Sequence, residues 1–125
     1  MEFNAAQPIY RQIIDGYKKQ LIRGELQPGD KIPSQREYAE TVKVNPNTVQ
    51  RAYREMEVMQ MVETQRGQGT FITATPEMLR TMKEEMAAAV VGNFISEMND
   101  LGFTAKEIHQ LLEDKLDSSR EGVKA

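Results

Sequence analysis

The sequence predicts a mainly α fold with a small β-hairpin: a helix, a helix-turn-helix and the hairpin in residues 1–75, then two further helices in residues 76–125. Three observations predict it. Two helix-start signals, Ser34 with Glu37 and Asn45 with Pro46, lie so close that only Lys43, Val44 and Asn45 separate the helices they open. A glycine-rich turn, Gly67-Gln-Gly69, then divides two short extended runs. Finally, apolar residues recur at three- and four-residue spacing before the first signal and after the turn, the period of helices with one buried face.

The elements follow in order. Pro8 opens a helix and Gly24 stops it, with Ile9, Ile13, Tyr17 and Leu21 on the apolar face and Ile14 and Ile22 beside them. Gln27-Pro-Gly-Asp is a turn by residue type, and Lys31-Ile32 after it suits a short edge strand. The capping box of Ser34 and Glu37 starts a second helix at Gln35, running to about Val42 with Tyr38, Ala39 and Val42 inward. Asn45 as N-cap and Pro46 at the first helical position start a third, with Val49, Ala52, Tyr53, Met56 and then Met59 or Gln60 facing the core. Val62 to Arg66 and Thr70 to Thr73 form the hairpin, which after a helix-turn-helix makes a wing, so residues 1–75 read as a winged helix-turn-helix domain. Thr75-Pro-Glu opens a fourth helix that runs to about Leu101 before Gly102. Thr104 and Glu107 form a second capping box, Phe103 is placed to staple onto Ile108, and the polar stretch from Asp117 to Ala125 is expected to be a short flexible tail.

Inventory excludes several classes of chemistry. There is no Cys and one His, His109, so thiolate metal sites, disulfides and cysteine nucleophiles are absent, and no catalytic group, metal or cofactor is expected. The longest apolar run, Met86 to Val91, falls far short of a membrane span, and the N-terminus lacks a basic start, so the expectation is a cytoplasmic protein with no membrane partner. The net charge of −3 is unevenly spread: residues 1–75 hold ten basic against nine acidic side chains, and residues 76–125 hold six against ten. From Thr41 to Arg54 the chain carries Lys43, Arg51 and Arg54 and no acid, so the second helix of the helix-turn-helix stands in a basic window.

A helix-turn-helix with a wing places its second helix in a DNA major groove, and Arg66 and Gln68 around Gly67 suit close approach to a phosphate backbone or minor groove. Asn47, Thr48, Gln50, Arg51 and Arg54 are the side chains of the third helix left off its apolar face. Arg51 with Glu55 also fits ordinary surface pairing, and Ser34, Asn45 and Thr104 are accounted for as caps. In the last two helices Leu79, Met82, Met86, Val90, Phe94, Leu101, Ile108, Leu112 and Leu116 form apolar stripes too wide for two helices to hide on each other, which predicts a homodimer. The competing reading is a winged-helix protein-protein interaction adaptor without an operator; it does not require the acid-free window from Thr41 to Arg54 or an Arg-Gly-Gln-Gly wing.

The run from Leu21 to Glu37 (LIRGELQPGDKIPSQRE), Asn47-Thr-Val-Gln-Arg-Ala-Tyr and Arg66-Gly-Gln-Gly-Thr-Phe resemble the GntR family of bacterial transcription regulators over residues 8–73. Gln7-Pro-Ile-Tyr-Arg-Gln-Ile, Val44-Asn-Pro-Asn-Thr-Val and the short C-terminal part are similar to its YtrA-like subfamily. The resemblance implies a repressor of transcription that binds double-stranded DNA at an inverted repeat, with Ser34 and Arg36 at the start of the second helix and Thr48 and its neighbours in the third at the DNA, and Gly67 as the wing-tip glycine. Many relatives carry basic residues where this chain has Pro46 and Gln50, so Asn45, Asn47 and Gln50 stand as candidates for adenine edges or phosphates. Larger relatives bind small molecules in their C-terminal domains; about fifty residues leave room for an effector only between subunits or domains, and its identity is open.

Overall fold

The computed structural model describes residues 3–122. The elements are α1 (Ile9–Ile22), β1 (Lys31–Ile32), α2 (Gln35–Val42), α3 (Pro46–Val58), β2 (Val62–Gln65), β3 (Gly69–Ile72), α4 (Pro76–Asp100) and α5 (Ala105–Gly122). They fall into two compact units that divide between Glu84 and Glu85.

Helix starts sit where local chemistry puts them. At α2 the Glu37 amide donates to Ser34 Oγ at 3.1 Å and the Ser34 amide donates to Glu37 Oε1 at 3.0 Å, a complete capping box. Those bonds, first from the Ser34 amide, hold the Glu37 carboxyl below its ordinary range. The Asn47 amide donates to Asn45 Oδ1 at 2.8 Å with Pro46 at the first helical position of α3, and the Met78 amide donates to Thr75 Oγ1 at 3.1 Å before α4. Thr104 and Glu107 repeat the box at α5.

In the first unit, β1 joins the hairpin edge to give an antiparallel sheet in the order β1-β3-β2, with Ile32 opposite Thr70 and Val62 opposite Ile72. Ile32, Val62, Thr70 and Ile72 turn inward onto Ile13, Tyr17, Val49, Tyr53 and Met56. Two helix faces differ from the sequence reading. On α1 the buried stripe is Tyr10, Ile13, Ile14, Tyr17 and Leu21, leaving Ile9 41 % exposed, because the stripe is centred one position further round the helix. On α3 the stripe ends at Met56: Met59 and Gln60 are exposed, and fully buried Met61 closes the core from the loop beyond. The chain turns there through Gln60 at φ +64°, with the Gln60 amide on the Glu57 carbonyl and the Met61 amide on the Met56 carbonyl, both at 2.9 Å. The start of α4 belongs to this unit, since Met78, Leu79 and Met82 pack against its core.

The second unit holds the rest of α4 and α5. Gly102, at φ +84°, ends α4, with the Phe103 amide on the Met98 carbonyl at 3.0 Å. Met98 and Ile108 are buried, whereas Val90, Val91, Ile95, Leu101, Leu112 and Leu116 are exposed. The stretch expected to be a flexible tail from Asp117 is helical through Gly122, and residues 123–125 lie outside the described range. No Pro or Gly interrupts Ala105 to Glu121, so extending an already nucleated helix costs little. Among the described residues no helix is long and apolar enough to cross a membrane, and no His, Asp or Glu cluster could hold a metal ion.

Three rings meet between α1, α2 and α3: Tyr17, Tyr38 and Tyr53, with centroids 5.7 to 6.1 Å apart. The Tyr53 hydroxyl donates to the Pro33 carbonyl at 2.7 Å, so across the 2.8 Å contact between the two hydroxyls Tyr17 is the donor to Tyr53. Burial pushes the Tyr53 hydroxyl up to about 12 and raises Tyr17 too. Two outcomes follow. Stability is full below the ordinary tyrosine value near 10 and falls as pH rises from 10 towards 12, because the unfolded chain ionises first. Urea midpoints at pH 9 and pH 11 measure this, and the double variant Tyr17→Phe/Tyr53→Phe shows a smaller drop. Separately, Gln60→Gly removes a Cβ from a left-handed position and raises unfolding free energy by about 1 kcal/mol in the same assay.

Candidate nucleic-acid interface

The turn Lys43-Val-Asn sets α3 against α2, with Lys43 left-handed at φ +57° and the Val44 amide returning to the Ala39 carbonyl at 3.1 Å. This brings together side chains that are distant in sequence. One shallow cleft is lined by Gln35, Arg36, Ala39, Glu40, Val44, Pro46, Asn47 and Gln50. A second, on the other side of Asn47, is lined by Pro8, Ile9, Tyr10, Asn47, Thr48 and Arg51. Arg36, Asn47, Gln50, Thr48 and Arg51 therefore belong to one surface around the first turns of α3.

Each candidate has a defined setting. Arg36 pairs with Glu40 at 3.4 Å, but the two side chains are 89 % and 70 % exposed, so the pair is weak and readily exchanged for another anion. Arg51 lies 3.7 Å from Glu55, and its guanidinium sits 3.9 Å from the centre of the Tyr10 ring. Stacking on α1 restrains its direction in a way no ion pair at this exposure would. Ser34 Oγ accepts the Glu37 amide, leaving its hydroxyl proton to donate elsewhere. Asn45 Oδ1 accepts the Asn47 amide, so a bidentate contact to adenine would share that oxygen between two donors while the NH₂ donates outward. Gln50 and Arg54 are exposed and Thr48 is half-buried.

The wing is tied to α3 through Thr64, whose hydroxyl donates to Glu57 Oε1 at 2.5 Å and lies 3.2 Å from Thr70 Oγ1. Arg66, Gly67 and Gln68 form its exposed tip, where the Gln68 amide donates to the Gln65 carbonyl at 2.9 Å and Gly67 takes φ +79°. A side chain at Gly67 would meet no neighbouring atom, so its requirement is the backbone angle.

Residues expected on the dimer face divide between the units. Leu79 and Met82 pack into the first unit's core. In the second, Ile108 is buried, Met86 and Phe94 are half-buried, and Val90, Leu101, Leu112 and Leu116 are 67 %, 71 %, 38 % and 55 % exposed. Two residues near the α2 and α3 surface went unselected in the sequence: Tyr10, the platform under Arg51, and Lys31 on β1. Tyr10 had a signal, since it follows the three- and four-residue spacing to Ile13, Ile14 and Tyr17; Lys31 had none that helical periodicity could supply.

Known proteins resemble this chain in sequence and in fold. The profile described as bacterial regulatory proteins, gntR family, matches residues 9–72, which is α1 through β3. The HTH-type transcriptional regulator YhcF of Bacillus subtilis is 48 % identical over 107 residues, covering 86 % of this chain and 88 % of that one. The HTH-type transcriptional repressor YtrA of the same organism is 36 % identical over 108 residues, covering 86 % and 83 %. A GntR family transcriptional regulator from Listeria monocytogenes superimposes with a TM-score of 0.79 at 35 % identity, covering 90 % of this chain and 98 % of that one. These relatives are transcriptional regulators and not enzymes. The profile match to the winged helix-turn-helix, together with identity that continues across most of both chains, establishes that this chain belongs to the GntR family of bacterial transcriptional regulators, with YtrA-type proteins among its relatives.

Proposed function

We propose that the protein is a cytoplasmic repressor that binds an inverted-repeat operator in double-stranded DNA as a homodimer. The observation that carries the reading is the exposed surface shared by Arg36, Asn47, Gln50 and Arg51, presented by a helix whose own first turns contain no acid. The YtrA relative, which aligns over most of this chain, is a transcriptional repressor. In this reading α3 enters the major groove, Ser34 and Arg36 reach from the start of α2, and Arg66 and Gln68 follow the backbone or minor groove from the wing. Asn47 and Gln50 supply amides for base edges, while Thr48, Arg51 and Arg54 brace against phosphates.

Dimerisation is assigned to the second unit. Val90, Val91, Ile95, Leu101, Leu112 and Leu116 are exposed there on two helices, more apolar surface than a lone helical pair keeps in water. Pairing two copies about a two-fold axis would cover it and set two α3 helices on symmetric half-sites.

Two experiments test these assignments on a duplex enriched from a random pool by the parent protein. Arg36→Ala and Arg51→Ala each weaken binding with folding intact. The loss is roughly 1–3 kcal/mol where the residue contacts a base, or the salt dependence flattens by about one unit of slope where it contacts phosphate. Operator titrations at several salt concentrations separate the cases, and unchanged affinity in both variants removes the assigned surface. A chain ending at Glu84 keeps the first unit's core but sediments as a monomer, and it loses avidity by a factor on the order of 10² to 10⁴. Full operator affinity in that shortened chain, or a monomeric full-length protein, would exclude the dimer.

A further inference from the structure

Lys31 occupies an unusual place for a lone basic residue on an edge strand. β1 has only two residues, and strand alternation sends Ile32 into the core at 2 % exposure and Lys31 to the outer face. In register Lys31 stands opposite Phe71, yet its side chain does not stop there. It runs along β3 to Gly69, two residues nearer the wing tip: a Cβ built on Gly69 would lie 2.6 Å from Lys31 Cε and 3.3 Å from Nζ. The space a side chain at position 69 would fill is thus occupied by the lysine stem, and Gly69, at φ +129°, has a backbone angle that L residues rarely adopt. The tip residues Arg66, Gly67 and Gln68 immediately precede it.

In the chain, Lys31 stands three residues before Ser34, the N-cap of α2. The Glu37 carboxyl is held low mainly by its bonds to Ser34, and the charge of Lys31 contributes in the same direction, so the ammonium's field reaches the first turn of α2, which also carries Arg36. None of the ion pairs among the described residues uses Lys31. Its charge therefore stands exposed, with its stem beside Gly69 next to the wing tip and its field felt in the first turn of α2.

We propose that Lys31 is a further DNA-contacting residue: laid across Gly69, its ammonium binds a backbone phosphate between the contacts from the start of α2 and those from the wing tip. The assignment rests on the duplex-DNA reading above. A lysine ammonium is a compact point charge without the planar fork of arginine, which suits a phosphate and carries no base preference. A stem already extended along β3 loses less freedom on binding than one free in solvent.

Lys31→Met keeps the stem and removes the charge. Titrated against the enriched operator and against a random duplex of equal length, it binds both more weakly than the parent and by the same factor. Its plot of log affinity against log salt is shallower by about 0.9, the value for one phosphate on duplex DNA. Lys31→Arg restores the slope, and thermal unfolding shows that all three proteins fold alike. Gly69→Ala, which pushes the lysine aside, weakens binding in the parent and does so less in the Lys31→Met background; this difference cancels the backbone strain common to both. Salt plots for the parent and Lys31→Met that run parallel overturn the proposal, as does a Lys31→Met defect confined to the operator. A parent protein that binds no duplex at all is a different failure: it removes the functional reading, and the Lys31 contact with it.

Discussion

The chain of hydroxyls from Tyr17 to Tyr53 to the Pro33 carbonyl is the contact on which the geometry of the first unit depends. It joins α1 to α3 and both to the residue just before the Ser34 cap, so the start of α2 is located by a bond from α3 and not by the three-residue turn alone. Tyr17 and Tyr53 are 5 % and 0 % exposed, and an unpaired hydroxyl at that depth would cost the full desolvation of the group. Each is satisfied only when three segments are in place, which makes the arrangement all-or-none. Its consequence at the surface is the spacing between Arg36 on α2 and Asn47, Gln50 and Arg51 on α3.

A chain of net charge −3 presents a basic face by giving its nearby acids local work. Glu37 closes the α2 capping box, and Glu57 accepts the Thr64 hydroxyl that ties the wing to α3. Glu40 and Glu55 lie beside Arg36 and Arg51 in exposed pairs that are weak and readily exchanged for another anion. The surplus of acid lies after Thr75, where residues 76–125 hold ten acidic against six basic side chains. Affinity for a polyanion depends on the local field and not on the total, since screening confines each charge to about 10 Å at moderate salt.

The two units are stabilised differently. The first closes a core of aromatic and aliphatic side chains from three helices and a sheet, with no buried side-chain polar atom left unpaired among the described residues. The second has few buried side chains and many exposed apolar ones, so its helices owe more to capping and to Gly102 than to their own packing. Helices that gain little from internal burial would gain stability from any surface that covers them, which is the physical basis for proposing association through this part of the chain.

What the sequence determined by itself was the set of local signals. Ser34-Glu37, Asn45-Pro46, Thr75-Pro76 and Thr104-Glu107 mark helix starts because a cap is chemistry among residues a few positions apart, and α2, α3, α4 and α5 begin at the positions those signals name. The winged helix-turn-helix and its family were legible for the same reason, as motifs at fixed spacing. The tertiary structure decided everything that needs a distant partner. It chose Tyr10 over Ile9 as the buried residue, which set the platform under Arg51, and Met61 over Met59 as the closure of the core. It also paired β1 with β3 so that Lys31 reaches Gly69, a contact between residues 38 positions apart that no local pattern encodes. Periodicity gives a helical face only to within about one residue, or 100° of rotation, and packing against the other elements resolves that last step.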